Sequence, residues 1–165
     1  MRSDSVEMKM TKVECYLAAH LGAIRRVSGW QNNLNANKHA EKSDWATDID
    51  GVLAEMATAK WLGVYYEPRN MDFKGPDVGR RCQTRSTTHR EGHLIVRPND
   101  EKLKDQPFVL CVTHRDTVWL CGWRYGGWCM KDEWWVFGDH WEVGQSGLEA
   151  MDRFPVPRQK SLFSA

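Results

Sequence analysis

Apolar residues in the first third of the chain recur at helical spacing. Val13, Leu17, Leu21 and Ile24 fall three or four positions apart. This predicts a helix over residues 6–28, with Arg25 and Arg26 suited to the negative end of its dipole. The stretch from Gly29 to Ala46, rich in asparagine and mixed charge, breaks the period and is expected to be a loop. A second helix is predicted over residues 48–62. Ile49, Val52, Leu53, Met56 and Ala57 form a core-facing stripe, Thr47 or Asp48 offers an N-cap, and Gly63 a stop. Beside that stripe runs a second strip of small and apolar residues, Gly51, Val52, Ala59 and Leu62, and Glu55 lies within it.

From residue 64 the period shortens. VYYE, RCQTRS, HLIVRP, PFVLCVT and TVWLCGWRY each read as strands rich in β-branched and aromatic residues, placing a sheet core over residues 64–123. Phe108 to Val112 and Val118 to Trp123 are apolar at successive positions, as in central strands covered on both faces. Trp119 and Trp123 are expected to share one strand face with Cys121. Residues 124–165 read as an irregular tail carrying Trp128, Trp134, Trp135 and Trp141. These rings are expected to pack over the sheet, with stacking on unpaired bases as the alternative. Two helices followed by strands define an α+β fold, in one domain spanning residues 1–165.

Composition narrows the possible partners. A net charge of +1 means that any nucleic-acid contact must come from a local patch. No apolar run approaches the twenty or so residues a membrane helix needs, so no membrane partner is expected. Asp4, Glu7, Lys9, Lys12 and Glu14 break up any secretory segment at the N-terminus. Five cysteines without a Cys-x-x-Cys pair point to reduced thiols and a cytoplasmic protein. A zinc site from Cys111, Cys121, Cys129 and His114 lacks the short paired spacing that such sites show.

The chemistry concentrates in GPDVGRRCQTRSTTHR, residues 75–90. On a strand, Gln83 and Arg85 share a face. A three-residue turn at residues 79–81 would set Asp77 opposite Gln83. Asp77, the Gln83 side-chain oxygen and Glu55 from the neighbouring helix would then offer oxygen ligands to a hard cation, Mg²⁺ or Mn²⁺. Arg85 would hold a phosphate or stabilise developing charge. Arg80, Arg81, His89 and Arg90, with no acid among them, suit phosphate contacts.

DGVLAEMATAKWLGVYY, PDV, CQTRSTT and HLIVRPND, with VWLCGW and FPVPRQKSL later, resemble the PD-(D/E)xK nuclease superfamily, in particular its small phage and prophage members. The resemblance implies a restriction-endonuclease-like core with both helices packed on a mixed sheet. It also implies metal on Glu55, Asp77 and Gln83, and Arg85 at the place of the family's lysine. Its functional implication is a Mg²⁺- or Mn²⁺-dependent endonuclease acting on DNA, in phage-infected host cytoplasm, with a homodimer as one assembly the resemblance allows. Arginine at the lysine position can clamp phosphate but cannot act as a general base. A catalytically inactive binding or inhibitor protein on the same scaffold is therefore the alternative.

Overall fold

The computed structural model describes residues 1–31, 44–68, 76–79 and 81–155. Arg80 and the Pro-bounded segment beyond residue 155 lie outside the described residues, as does most of the expected inter-helix loop. The first helix, α1, runs Lys12–Gln31, and the residues before it form strand β1, Val6–Lys9. The helical spacing identified α1 correctly but carried it too far toward the N-terminus. Alternating burial marks Val6–Lys9 as a strand, and a capping box starts the helix after it. The Glu14 amide donates to Thr11 Oγ1 at 3.2 Å, and the Thr11 amide to a Glu14 carboxylate oxygen at 2.6 Å.

The second helix, α2, spans Asp44–Leu62, starting four residues ahead of the expected boundary. Gly63, at φ +68, ends it in a Schellman turn, with the Val64 amide donating to Ala59 O and the Gly63 amide to Lys60 O. Every residue from Val52 to Ala59 is buried, so α2 is an interior helix. α1 crosses it at Gly22, where an added Cβ would lie 2.7 Å from the Ile49 Cα. Residues 64–67, expected as a strand, are described but belong to none.

The main sheet holds strands in the order β1, β5 (Thr117–Tyr125), β4 (Pro107–His114), β2 (Gln83–Thr87). β2 runs parallel to β4 and the other pairs are antiparallel, so the sheet is mixed. Both central strands are covered on both faces, as their patterning predicts. On one face Val109, Cys111, Val118 and Leu120 pack against α2, and α1 covers the far side of α2 instead of lying on the sheet as expected. On the other, Phe108, Leu110 and Val112 meet a second sheet of β3 (Leu94–Val96), β7 (His140–Val143) and β6 (Trp135–Val136).

A bulge between Leu110 and Cys111 interrupts the β4–β5 register, with Gly122 at φ +145 opposite it. It places Trp123 on the helix face, whereas Trp119 and Cys121 stay on the other. The three were expected on one face. The extra residue inverts the alternation beyond it.

The expected irregular tail contains structure within its described part: a single turn, α3 (Gly126–Cys129), and strands β6 and β7. Trp128, Trp134 and Trp141 pack over the sheet, and Trp135 lies tilted against Trp141, ring centres 4.6 Å apart. No helix among the described residues is long and apolar enough to cross a membrane. Alanine at Gly22 would gain about 1 kcal/mol of helix propensity. Forcing the Ile49 backbone outward costs about 1–3 kcal/mol. Gly22→Ala is therefore expected to lower the urea midpoint, and an unchanged or raised midpoint would show that the helix crossing yields easily.

Candidate functional site

The turn before β2 forms as its sequence predicts. Val78 and Cys82 pair in an antiparallel bridge, a register that continues outward to Asp77 opposite Gln83. Gly79 takes φ +54, and the Arg81 amide donates to Val78 O at 2.8 Å. The Thr84 amide donates to Asp77 Oδ2 at 2.8 Å, which pins the carboxylate against the start of β2. Arg85 brings a guanidinium nitrogen 3.7 Å from Asp77 and 3.4 Å from Gln83 Oε1. Gln83 itself is buried.

Glu55 sits at the middle of the buried run of α2, where a lone carboxylate would be strongly disfavoured. Its partner comes from α1. Arg25 donates to both carboxylate oxygens, Nη1 to Oε1 and Nη2 to Oε2, each at 2.8 Å. The Tyr66 hydroxyl donates to Oε2, also at 2.8 Å. Burial, and then the Glu55 charge, push the Tyr66 hydroxyl well above its usual pKa, so it stays a donor. Burial works against the Arg25 charge, but the hydrogen bonds and charge of Glu55 outweigh it and hold the guanidinium more firmly protonated. One residue on, Arg26 grips Asp48 of α2 at 2.6 Å.

Asp77 feels this pair. Its carboxyl is raised to about 6, first by burial and then by the charge of Glu55. Arg85, the Thr84 amide and Arg25 pull the other way without cancelling those effects. Arg85 also has an anchor that the sequence reading missed. Its Nη2 lies 2.9 Å from both oxygens of Asp100, in the 3₁₀ turn Pro98–Leu103 after β3. Asp100 in turn accepts from the Arg97 amide at 2.9 Å, and Arg85 lies over the Phe108 ring at 5.1 Å. A Pro-Asn-Asp turn directly after a strand was the available signal for Asp100.

Glu55, Asp77, Gln83 and Arg85 thus gather around one end of β2, but as two interlocked ion-pair groups. Magnesium or manganese at Glu55 would have to displace a guanidinium that occupies both oxygens, and it would arrive beside Arg85. Breaking a buried pair of this kind costs about 3–5 kcal/mol, on the order of a hundredfold to a thousandfold or more in affinity. As arranged, these donors do not fit a resident divalent cation.

The basic rim divides. Arg81 is half-buried at the start of β2, whereas His89 and Arg90 are exposed beyond its far end. Five residues of strand separate them, roughly 17 Å. Arg90 is held through its carbonyl, which accepts from Gln145 Nε2 at 2.8 Å. Arg80 lies outside the described residues. Cys111 faces the helices while Cys121 and Cys129 face the second sheet, which separates the cysteines considered for zinc.

No protein-family model matches the chain, and comparison with curated proteins and with solved structures gives no significant match.

Two measurements probe the pairs directly. Arg25→Met leaves Glu55 buried and unpaired, so it is expected to lower stability by about 3–5 kcal/mol in urea titration. Adding Glu55→Met should restore much of that loss, and additive effects would show that the two side chains act separately. The Asp77 prediction follows from linkage. A carboxyl whose folded pKa is raised binds its proton more tightly folded than unfolded, so ionising it disfavours the fold. That penalty is absent at about pH 3, grows between about pH 4 and 6, and is complete above. Asp77→Asn is expected to be up to about 3 kcal/mol more stable than the parent at pH 7 and equal to it at about pH 3. Urea midpoints across this range check it.

Proposed function

We propose that the chain is a DNA-binding protein on a nuclease-like scaffold whose metal position is taken over by arginines, and that it does not itself cut. The observation carrying this reading is the two-pronged Arg25 clamp on Glu55, reinforced by Tyr66. A carboxylate whose oxygens already receive a buried cation has little left to offer a second one. Arg85, bound to Asp100 and close to Asp77, is likewise a structural cation with its charge compensated.

Binding would fall to the exposed side chains around β2. His89 and Arg90 project beyond the far end of this edge strand, and Arg81 lies at its start. Such groups contact phosphate oxygens without reading sequence. With a net charge of +1, affinity would be moderate and strongly salt-dependent.

A second reading, a Mg²⁺- or Mn²⁺-dependent nuclease, draws on Asp77. A carboxyl raised to about 6 beside Glu55 sits against like charge that a divalent cation would relieve. In that reading Arg25 must release Glu55.

One experiment separates the two. Linear, circular, branched and single-stranded DNA are incubated with the protein and Mg²⁺ or Mn²⁺, while anisotropy of labelled DNA follows binding. The expected result is binding that weakens with salt, drops about tenfold in Arg90→Ala (the worth of one charge-assisted hydrogen bond), and is accompanied by no cleavage. Metal-dependent cleavage abolished by Asp77→Ala establishes the nuclease instead. Absence of both activities removes DNA as the partner.

A further inference from the structure

α1 is polarised against the usual rule for a surface helix. Its acid and arginines are turned to the protein: Glu14 pairs with Lys60, Arg25 with Glu55 and Arg26 with Asp48. Its solvent side carries Val13, Tyr16, Leu17, Ile24, Val27 and Trp30, between 38% and 74% exposed. Between Val13 and Trp30 the only other exposed residue is His20. An amphipathic surface helix directs its apolar stripe to the core and its charges to water, so this face calls for a cover.

The spacing specifies what fits. Residues 13, 17, 20, 24 and 27 alternate steps of four and three, the period of a coiled-coil seam. The stripe is also nearly symmetric about the position of Gly22. Run antiparallel against itself, it sets Leu17 against Val27 and His20 against Ile24, and brings Val13 within one position of Trp30. A two-fold interface requires that self-complementarity, because one patch must serve as both partners. Trp45 of α2 meets Trp30 edge-on at 5.2 Å and widens the stripe at its end.

The area agrees. The exposed parts of these side chains amount to roughly 700 Å² of apolar surface per chain, more than the few hundred Å² monomers normally leave open. Two copies would bury about 1,400 Å², within the range of stable, specific interfaces. No like charges would meet across the seam.

We propose that α1 pairs antiparallel with α1 of a second copy, making the protein a two-fold dimer. This rests on the outward face of α1 and not on any reading of the Asp77 region.

Sedimentation equilibrium of the full chain from about 1 to 200 µM tests it, a window chosen around micromolar affinity. A concentration-dependent dimer is expected, with Leu17→Glu and Ile24→Glu each weakening association at least a hundredfold. Both side chains are exposed in the single chain, so circular dichroism of these variants at low concentration should match the parent. Mixing Leu17→Cys chains with Val27→Cys chains under mild oxidation should give the mixed disulfide in preference to either homodimer, with the parent controlling for Cys15. Dominant Leu17→Cys homodimers would indicate parallel helices and overturn the arrangement. A dimer unaffected by either glutamate overturns the interface. A monomer throughout overturns the dimer. Increased dye binding on removing residues 156–165 would then assign the stripe to that segment, and unchanged binding would assign it to a different protein.

Discussion

Arg25 and Glu55 lock the two helices together through a bidentate pair, and much else follows from that contact. α2 lies between the sheet and α1, so the Glu55 carboxylate is largely withdrawn from water. Arg25 reaches it from α1, and Arg26 one position on repeats the grip on Asp48. Neither charge is tolerable without the other. The turn of α1 about its own axis is therefore set by where its arginines must point, and the hydrophobic stripe centred on the opposite side is left facing outward. Tyr66 completes the group and ties the strand-free segment after α2 back to the helix.

The same contact decides the electrostatics at the end of β2. Three carboxylates (Glu55, Asp77 and Asp100) stand among two guanidiniums (Arg25 and Arg85). Asp77 is the least compensated, with one backbone donor and an arginine at 3.7 Å that is shared with Asp100. Its raised pKa expresses that shortage. An arrangement able to ligate metal needs carboxylates in excess of fixed cations. Here the fixed cations have closed most of the gap.

How much of this was legible depended on range. α2, its Gly63 stop, the Asp77–Gln83 turn and the doubly covered β4 and β5 were all visible, because each is a local pattern that packing does not override. The gathering of Glu55, Asp77, Gln83 and Arg85 at one strand end was also anticipated. What clamps them was not. Arg25 is thirty positions from Glu55 and reads as an ordinary helix-end cation, and Asp100 reads as a turn residue. The start of α1 was misplaced because Val6 and Met8 extend the apolar pattern into a strand, and the capping box at Thr11 marked the true boundary. The bulge at Gly122 leaves no periodic signal at all. It is a one-residue slip, and it moves Trp123 to the opposite face from the one that counting along the strand gives.

The position of β1 carries a consequence for the order in which the molecule comes together. Val6 pairs with Leu120 and Lys9 with Thr117, so the first strand of the chain has its partner more than a hundred residues later. On a ribosome, β1 would emerge with nothing to pair with. The two helices and the Arg25–Glu55 contact could assemble long before β5 exists, since their sequence separation is short. The last act of folding would then be the docking of β1, which zips along β5 after α1 has already settled on α2.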